Sequence, residues 1–334
     1  MSQLARIAAE IINTPLFLEP RKAATFAAVL GDRIGLDGDM EAFVRSAGAP
    51  LATRAPSRGK TGNGYSKIGG GIALISVVGS LVTRSGGLDA ESGLVSYDAV
   101  SGGVRAADAD PDVTSILLDF HSPGGSAAGA IECADVVHAV SQKRPVIAIC
   151  NSLCCSAAYL IAAAANKIVA TKTAVIGSIG VVMLHLDRSQ QLAGKGLVPT
   201  FIFAGKHKVD GNELQPLTSE VKLDLKAEVD TYYNMLVGSV AGHRAKLTDA
   251  AIRATEARTF LGADAVAIGL ADEVGSMDAT LRQLAQLHPA TEQFTKYDHI
   301  RAVYGNVDAV HEQIKDAHAA GVRVGMAVAL AGRK

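Results

Sequence analysis

A serine at the start of a helix and a pair of lysines further along are the residues whose types could carry nucleophilic chemistry. Ser156 stands in CNSLCCSAAYLIAAAA (150–165), where an apolar run gives way to small helix-forming residues. At that position a hydroxyl is backed by the positive end of the helix and left accessible by Ala157 and Ala158. Serine is also a common helix N-cap, so the residues alone leave a purely structural role for Ser156 open beside the catalytic one.

A hydroxyl nucleophile needs a base, and no serine of this chain lies in the GxSxG turn that accompanies a Ser–His–Asp set. The alternative base is a lysine in FAGKHKVDGNELQPL (203–217). Lysine acts as a base only when burial lowers its pKa from about 10.4 towards 7–8. Lys206 and Lys208 alternate about His207, so in an extended chain one would face solvent and the other the site. Both could equally be ordinary solvated lysines.

Glycine-rich turns follow two of the apolar runs. In DFHSPGGS (119–126), Gly124 and Gly125 allow backbone amides to point outward at a helix start, as an oxyanion hole requires, although an ordinary strand-to-helix turn would look the same. In VIGSIGVV (175–182), glycines flank Ser178. That spacing is not GxGxxG, and no acidic residue lies where it would hold a ribose, so no dinucleotide cofactor is predicted.

Cys154 and Cys155 lie beside Ser156 and are rival nucleophiles. A catalytic thiol needs a nearby histidine or helix end to lower its pKa, and this stretch contains no histidine, so we interpret both as small buried hydrophobes. The cysteines of the chain lack paired CxxC spacing. Neither a disulfide scaffold nor a zinc site is predicted, a reducing compartment fits best, and no cofactor is expected.

Composition excludes several classes of protein. The chain has 334 residues, 49% of them hydrophobic and 19% charged, which provides a sizeable core and rules out wholesale disorder. A net charge of −1, only 4% aromatic residues and no tryptophan argue against a nucleic-acid partner or an anionic membrane surface. The N-terminal stretch carries Arg6 and Glu10 and does not read as a signal peptide. Residues 145–166 are uncharged, but Asn151 and Ser152 interrupt them, so we predict a buried strand, a turn and a buried helix rather than a membrane span.

Apolar runs that alternate with helical stretches must position these residues. From Ile72 onward the runs are rich in Val and Ile and have the length of strands, which indicates an α/β fold with a largely parallel sheet covered on its faces. A long helix from Thr218 to Arg244 follows, with Thr218 as its N-cap. The predicted strands are 72–78, 113–120, 146–150, 168–171, 181–185 and 200–204, and the predicted shorter helices are 92–109, 127–142, 156–166 and 187–193.

Shifts in composition divide the chain into segments. Residues 1–48 are predicted to be a helical N-terminal segment with a break at its Asn-Thr-Pro, and the Gly-, Pro- and Ser-rich residues 49–71 a flexible linker. Residues 72–285 are predicted to form the catalytic domain. Residues 286–334 would then be a C-terminal extension, to which the sequence assigns no role.

Taken in order, these motifs resemble the signal peptide peptidase A family of serine proteases over about residues 70–280. The family's order is a strand ending in D-x-x-SPGG, a serine followed by small residues and Tyr, GSIGV, a lysine in a G-x-H-K-like segment, and a closing Gly-Leu-x-D-E-x-G. In this chain those motifs are Asp119–Gly125, Ser156–Tyr159, Gly177–Val181, Ala204–Lys208 and Gly269–Gly275.

The resemblance implies a fold and a set of roles. The fold would be the Clp-protease or crotonase-like fold of repeated ββα units. Ser156 would be the nucleophile and Lys208 the general base, with Ser178 hydrogen-bonded to the lysine amine. Gly124 and Gly125 would supply the oxyanion amides.

The chain departs from the family's pattern at two places. Two alanines follow the serine where the family usually has two glycines. Val209 separates Lys208 from Asp210, where the family usually has Lys-Asp, and Lys206 therefore stays an alternative base. Lys208 is favoured because it follows the histidine, as in the family.

The helical N-terminal segment, the missing membrane anchor and the length are closest to the head-maturation branch of the family, the tailed-phage prohead proteases similar to minor capsid protein C. This branch implies a homo-oligomeric serine endopeptidase that cleaves scaffold and capsid proteins in the host cytoplasm or the procapsid. The alternatives are a cytoplasmic signal-peptide-peptidase-like protease that degrades peptides, a crotonase-like acyl-CoA enzyme, and a shell or scaffold component without activity. Labelling by a serine-reactive phosphonate separates the proteases from the last two.

Overall fold

Two β-sheets with helices packed on them make up the part of the chain that the structure describes. The computed structural model describes residues 14–18, 64–84 and 93–287. The larger sheet has eight strands and the smaller has four. The fold is mixed α/β, as the sequence predicts.

The larger sheet is built around β3 (Ile72–Val78), β6 (Ser115–Ser122) and β8 (Val146–Cys155), which pair in parallel. Their residues are buried on both faces, and for that reason the runs are almost continuously apolar. β8 pairs in parallel with β9 (Lys167–Ala170) along its first half and with β10 (Val175–Gly177) along its second half. The predicted parallel sheet is therefore confirmed.

Short strands complete the edges of this sheet. β2 (Ser66–Ile68) runs antiparallel to β3, and β11 (Thr259–Leu261) runs antiparallel to β10. β12 (Glu273–Val274) is parallel to β9. The β10–β11 pairing brings the chain after residue 258 close to the turn that contains Ser178, because Ser178 N–H donates to the Arg258 carbonyl oxygen at 2.9 Å.

The smaller sheet continues from the carboxyl end of the larger one. β7 (Gly124–Ser126) begins just after β6 ends, and it pairs in parallel with β4 (Ser80–Val82). β4 also pairs in parallel with β5 (Leu94–Ser96). On its other side β7 pairs antiparallel with β1 (Leu16–Leu18), so β1 lies at the edge of this sheet.

Helices cover both faces of the larger sheet. One face carries the larger apolar core, in which Val104, Val137 and Leu160 are fully buried. The other face carries a smaller core closed by Leu281 and Leu284. The helices are α1 (Tyr97–Ala109), α2 (Ala130–Ser141), α3 (Ala157–Ala163), α4 (Ser189–Gly194), α5 (Ser219–His243), α6 (Asp249–Arg253), α7 (Gly262–Ala267) and α8 (Met277–Leu287).

The long helix α5 matches its predicted bounds. Thr218 is the N-cap, as expected, and its side-chain oxygen accepts from the Val221 N–H at 3.2 Å. At the other end the Arg244 guanidinium forms a two-pronged ion pair with Asp272, with both N–O distances 2.9 Å. The fully buried residues of α5 all lie in its C-terminal half, at Leu236, Val237 and Val240.

Two apolar runs that predict strands lie outside the sheets. Residues 200–204 form no strand, and Ile202 is 99% exposed. Residues 181–185 form no strand; they contain bridge residues at Val182, which pairs with Leu16, and at Leu184. These two strand predictions are wrong because an apolar run becomes a strand only where another strand can satisfy its backbone groups.

The segments predicted before residue 72 differ in part from the structure. Of the predicted helical segment 1–48 only 14–18 are described, and they contain the strand β1; the residues on either side, for which helices are predicted, lie outside the described residues. The predicted linker 49–71 is described from residue 64, where it already belongs to the domain. Tyr65 is buried, and its hydroxyl donates to Asp110 at 2.5 Å. Of the predicted extension 286–334, residues 286 and 287 belong to the end of α8, and the rest lies outside the described residues.

The uncharged stretch 145–166 folds as β8, a turn and α3, as predicted. Within the described ranges, no helix combines the length and the apolar character needed to cross a bilayer.

Asp119 is a carboxylate buried on β6. It lies two residues after Leu117 on the strand, so its side chain points to the same face as Leu117, the face of the smaller core. Desolvation raises the pKa of Asp119 to about 6, and a hydrogen bond with Asn151 lowers it in part. Its Oδ1 finds no hydrogen-bond partner within the described part of the chain.

This raised pKa makes the stability of the protein depend on pH. The folded state holds the Asp119 proton more tightly than the unfolded chain, whose carboxyl has a pKa near 3.8, so the contribution of Asp119 to stability falls as the pH rises from about 4 to about 6. We expect Asp119→Asn to flatten that slope and to raise the free energy of unfolding at neutral pH by about 2 kcal/mol. Urea unfolding at a series of pH values measures both effects.

Asp98→Asn is the matched control, because Asp98 is an exposed carboxylate beside Arg84. It should keep the wild-type slope between pH 4 and 6. A slope that persists in Asp119→Asn would contradict the assignment of the slope to this carboxylate.

Candidate active site

Ser156 lies on a sharp turn between β8 and α3. Its backbone has φ 53° and ψ −115°, a region that residues with a Cβ rarely adopt. The Ser156 N–H donates to the Gly177 carbonyl oxygen at 2.8 Å, and the Ser156 carbonyl accepts from the Leu160 N–H at 2.9 Å. Such a conformation persists only where the surroundings enforce it, and it is frequent at catalytic residues.

The Ser156 hydroxyl does not cap the helix. Ser156 occupies the N-cap position of α3, but its side chain accepts no hydrogen bond from an amide of that helix. The alternative interpretation of this serine as a helix cap is therefore wrong. Its Oγ instead donates to the Gly180 carbonyl oxygen at 3.2 Å, a long hydrogen bond, and the residue is fully buried.

The predicted oxyanion turn lies directly against the Ser156 turn. Gly124 has φ 98°, and a Cβ on it would lie 3.0 Å from the Cys155 carbonyl oxygen and 3.1 Å from the Ala157 nitrogen. Those two atoms belong to the neighbours of Ser156 on either side. A Cβ on Gly125 would meet the backbone of Leu81, including its nitrogen at 2.6 Å. The two glycines therefore allow a backbone approach that a side chain would prevent.

Ser178 belongs to the same group of turns. It has φ 51° and is almost fully buried. It stands between Gly177, whose carbonyl accepts from the Ser156 amide, and Gly180, whose carbonyl accepts from the Ser156 hydroxyl. The GSIGV motif (Gly177–Val181) thus contacts the Ser156 turn on the side opposite β7.

The strand β1 also reaches this site, and the sequence analysis did not find it. Leu16 exchanges two backbone hydrogen bonds with Val182, at 2.9 and 3.0 Å, while β7 pairs with the other edge of β1. Phe17 is fully buried, with its ring edge-on to Tyr232 at 6.2 Å between centroids. The only signal in the sequence is the apolar LFL after the Thr14-Pro15 break.

The two candidate lysines lie in an exposed turn. Lys206 and Lys208 are both exposed, and the chain around them is not extended, so the predicted alternation of their side chains does not apply. Lys206 Nζ forms an ion pair with Glu220 at 2.9 Å, and this partner raises the pKa of Lys206. The structure of the single chain thus shows neither lysine desolvated.

A second serine pairs with a histidine at the same end of the sheet. His121 Nδ1 and Ser152 Oγ are hydrogen-bonded, at the point where β8 bulges beside β6. His121 is exposed and Ser152 is partly buried. This pair makes Ser152 a rival nucleophile that the sequence analysis did not weigh.

The cysteines are buried thiols. All are free and buried, and burial raises the pKa of Cys133 to about 11 and the pKa of Cys154 as well. A raised pKa leaves the thiol protonated at neutral pH, so neither sulfur is an activated nucleophile. The interpretation of Cys154 and Cys155 as small buried hydrophobes agrees with this burial.

One cluster of side chains has the residue types that bind metal ions. His207, Asp210 and Asp224 place one ligand atom each within 4.8 Å of one another, all on exposed side chains. The His207 ring already pairs with Asp210 at 2.7 Å. The cluster lies beside Lys206 and Lys208, outside the group of turns at Ser156.

The chain is similar to known proteases. Residues 138–291 match the sequence profile of the family described as Peptidase family S49. The chain is 39% identical over 276 residues to the head-tail preconnector protein GP5 of Enterobacteria phage P21. It is 36% identical over 286 residues to the capsid assembly protease C of Escherichia phage lambda, and 26% identical over 258 residues to Protease 4 of Salmonella typhi.

These similarities cover most of this chain but less of the relatives. The alignments span 81% and 84% of this chain, but 55% of the phage P21 protein and 65% of the phage lambda protein. The alignment with Protease 4 spans 76% of this chain and 40% of Protease 4. The chain therefore spans between about half and two thirds of the length of the two phage relatives.

The close approach at Gly125 generates a prediction about stability and activity. A Cβ there would overlap the Leu81 backbone, so we expect Gly125→Ala to displace β7, to lower the free energy of unfolding by about 3 kcal/mol and to abolish any chemistry at Ser156. Thermal unfolding and phosphonate labelling of the folded fraction measure the two effects.

Gly102→Ala is the matched control. Gly102 lies on α1 with nothing within 4 Å of an added Cβ, so alanine should leave labelling unchanged and the stability equal or slightly higher. Wild-type stability in Gly125→Ala would contradict the close packing described for β7.

Proposed function

We propose that this chain, which carries a serine protease domain of Peptidase family S49, is an endopeptidase with Ser156 as nucleophile and Lys208 as general base. One observation carries the proposal: Ser156 is held at a positive φ with its hydroxyl unused by the helix and its backbone against Gly124. A serine in this setting is oriented for attack rather than for capping. The proposed fold is the Clp-protease or crotonase-like fold.

The reaction proceeds through an acyl-enzyme. Ser156 Oγ attacks the peptide carbonyl while neutral Lys208 takes its proton and returns it to the leaving amine; water then hydrolyses the ester. The amides of Gly124 and Gly125 hold the oxyanion, each contributing about 3 kcal/mol to the transition state. Ser178 orients the lysine amine. This chemistry requires no metal or cofactor.

Lys208 is preferred to Lys206 on electrostatic grounds. The ion pair with Glu220 raises the pKa of Lys206, whereas a base at neutral pH requires a lowered one. Lys206 is therefore held protonated by its partner. We therefore assign the proton transfer to Lys208.

Lys208 can serve as a base only after its segment is covered. A lysine acts as a general base where burial shields its amine from water, and Lys208 is exposed in the single chain, which is therefore not yet the proposed active form. The same segment exposes large apolar side chains, with Val198 88% and Ile202 99% exposed. Exposed apolar surface of this kind marks an interaction site. We propose that a second copy of this chain covers this exposed segment in a homo-oligomer.

The proposed substrates are proteins. The names of the two phage relatives refer to capsid assembly and to the head-tail preconnector, and they support cleavage of capsid and scaffold proteins during head maturation. The corresponding location is the host cytoplasm and the procapsid.

Ser156→Ala against Ser152→Ala tests the nucleophile. We expect Ser156→Ala to lower the hydrolysis of denatured casein about 10⁴-fold or more and to abolish labelling by a fluorophosphonate, because the attacking oxygen is lost. Ser152→Ala removes the hydroxyl that pairs with His121, and this variant should keep both casein hydrolysis and fluorophosphonate labelling. Labelling that survives in Ser156→Ala and disappears in Ser152→Ala would reverse the assignment.

Lys208→Ala against Lys206→Ala tests the base. Loss of a general base should lower kcat about 10²–10⁴-fold in Lys208→Ala, with little effect in Lys206→Ala. In the wild type, kcat/KM should rise with pH as the covered amine loses its proton, and this rise should be absent from the residual activity of Lys208→Ala. The reverse ranking of the two variants would assign the base to Lys206.

A further inference from the structure

The strand β1 fills a slot that is one strand wide. Its two edges bond to different segments: Leu16 exchanges backbone hydrogen bonds with Val182, and the Pro15 carbonyl oxygen accepts from the Ala127 N–H at 3.1 Å beside β7. Between β7 and Val182, the described chain has no other strand. Without β1, both of these segments would present unpaired backbone groups across the gap, which is the arrangement that binds an extended peptide by strand addition.

The walls of this slot are the same segments that surround Ser156. β7 contains Gly124, which touches the backbone on both sides of the serine. The opposite wall contains Gly180, whose carbonyl accepts from the Ser156 hydroxyl, two residues before Val182. A peptide in the slot therefore runs past the proposed nucleophile.

The direction of β1 brings its C-terminal end to the nucleophile. The antiparallel register pairs Leu16 with Ser126, Phe17 with Gly125 and Leu18 with Gly124. The Phe17 carbonyl oxygen lies in contact with Gly124, and the next carbonyl along the strand is that of Leu18, opposite the glycine that abuts the Ser156 turn. The Leu16 amide and carbonyl both bond to Val182, so the Leu18 carbonyl, two residues further on, faces that same edge. Extending this antiparallel pair by two residues brings Leu18 opposite Gly180, whose carbonyl accepts from the Ser156 hydroxyl.

The side chains of β1 are as buried as those of core residues. Leu16 is 3% exposed, Phe17 0% and Leu18 5%. Phe17 packs edge-on against Tyr232 of α5. The slot therefore offers apolar subsites to consecutive residues of an extended chain, with no buried charge to pair.

We infer that Leu16–Leu18 is bound in the peptide-binding groove as a substrate, and that the Leu18–Glu19 bond is one that this protease cleaves in its own chain. The inference rests on the proposed function of Ser156. It assigns the substrate class as extended segments with consecutive large apolar residues, of which Leu-Phe-Leu is the first. It also means that the groove is closed to other substrates while β1 occupies it.

The step is an ordinary hydrolysis. Ser156 Oγ forms a bond to the Leu18 carbonyl carbon, and the bond from that carbon to the Glu19 nitrogen breaks. The serine proton passes through Lys208 to the new amine of Glu19. Water then cleaves the ester, which restores the serine and leaves a carboxylate on Leu18.

The test is the mass of the chain after incubation. We expect the full chain to lose residues 1–18 and to acquire Glu19 as its N-terminus, whereas Ser156→Ala stays intact. Leu18→Asp places a charge in an apolar subsite and should slow this cut at least tenfold while casein hydrolysis continues. Val274→Asp, which adds the same charge to a partly exposed residue of the edge strand β12, is the control and should cut itself like the wild type.

Binding is measured separately in Ser156→Ala, which cannot cut itself. Hydrogen exchange should show slow exchange for the amides of Leu16 and Val182, which bond to each other's carbonyls. Rapid exchange at both would overturn the inference that β1 occupies the groove.

The outcomes separate the two proposals. A chain that labels with fluorophosphonate and hydrolyses casein, but keeps its Leu18–Glu19 bond, overturns the inference and leaves the proposed function intact. A chain that neither labels nor hydrolyses casein overturns both. Cleavage at Leu18–Glu19 that persists in Ser156→Ala overturns the inference by assigning the cut to another group.

Discussion

The candidate site depends on the contact between two stretches of backbone, the Gly124-Gly125 turn and the turn at Ser156. A Cβ on Gly124 would come within 3.1 Å of backbone atoms on both sides of the serine and 2.1 Å from the Phe17 carbonyl oxygen. With φ at 98° as well, this position requires glycine. The Gly177 carbonyl holds the serine amide from the other side. Because β6, β8 and β10 are parallel and adjacent, the turns that follow them meet at one edge of the sheet. The geometry at Ser156 is thus a consequence of strand register more than of any single side chain.

The features that could be predicted from the sequence are those with a strong local cause. A strand buried on both faces must be apolar, which is why 72–78 and 146–150 predict strands correctly. The run 200–204 is equally apolar but exposed, and composition alone cannot distinguish the two cases. The three residues of β1 were missed because their partners lie far along the chain. The positive φ of Ser156 has no sequence signal, because cysteine and alanine flank it where a recognisable elbow has glycine.

The single chain has the features of a resting form of the proposed protease. Lys208 is exposed to solvent, while the groove beside Ser156 is filled by β1. Both conditions oppose cleavage of other proteins, and each is relieved by a different event. A second copy of the chain packed on the segment that contains Lys208 would desolvate the lysine amine, and departure of β1 would open the groove. A protease restrained in both ways would act only after it has assembled, which suits an enzyme whose proposed substrates surround it.

The most direct test of the central claim is an experimental structure of the assembled protein with a peptidyl phosphonate on its nucleophile. We expect phosphorus bonded to Ser156 Oγ, a phosphonyl oxygen facing the amides of Gly124 and Gly125, and Lys208 Nζ within about 3 Å of the serine oxygen and shielded from water. A phosphonate on Ser152, or Lys208 still in bulk solvent with another group beside Ser156, would contradict it.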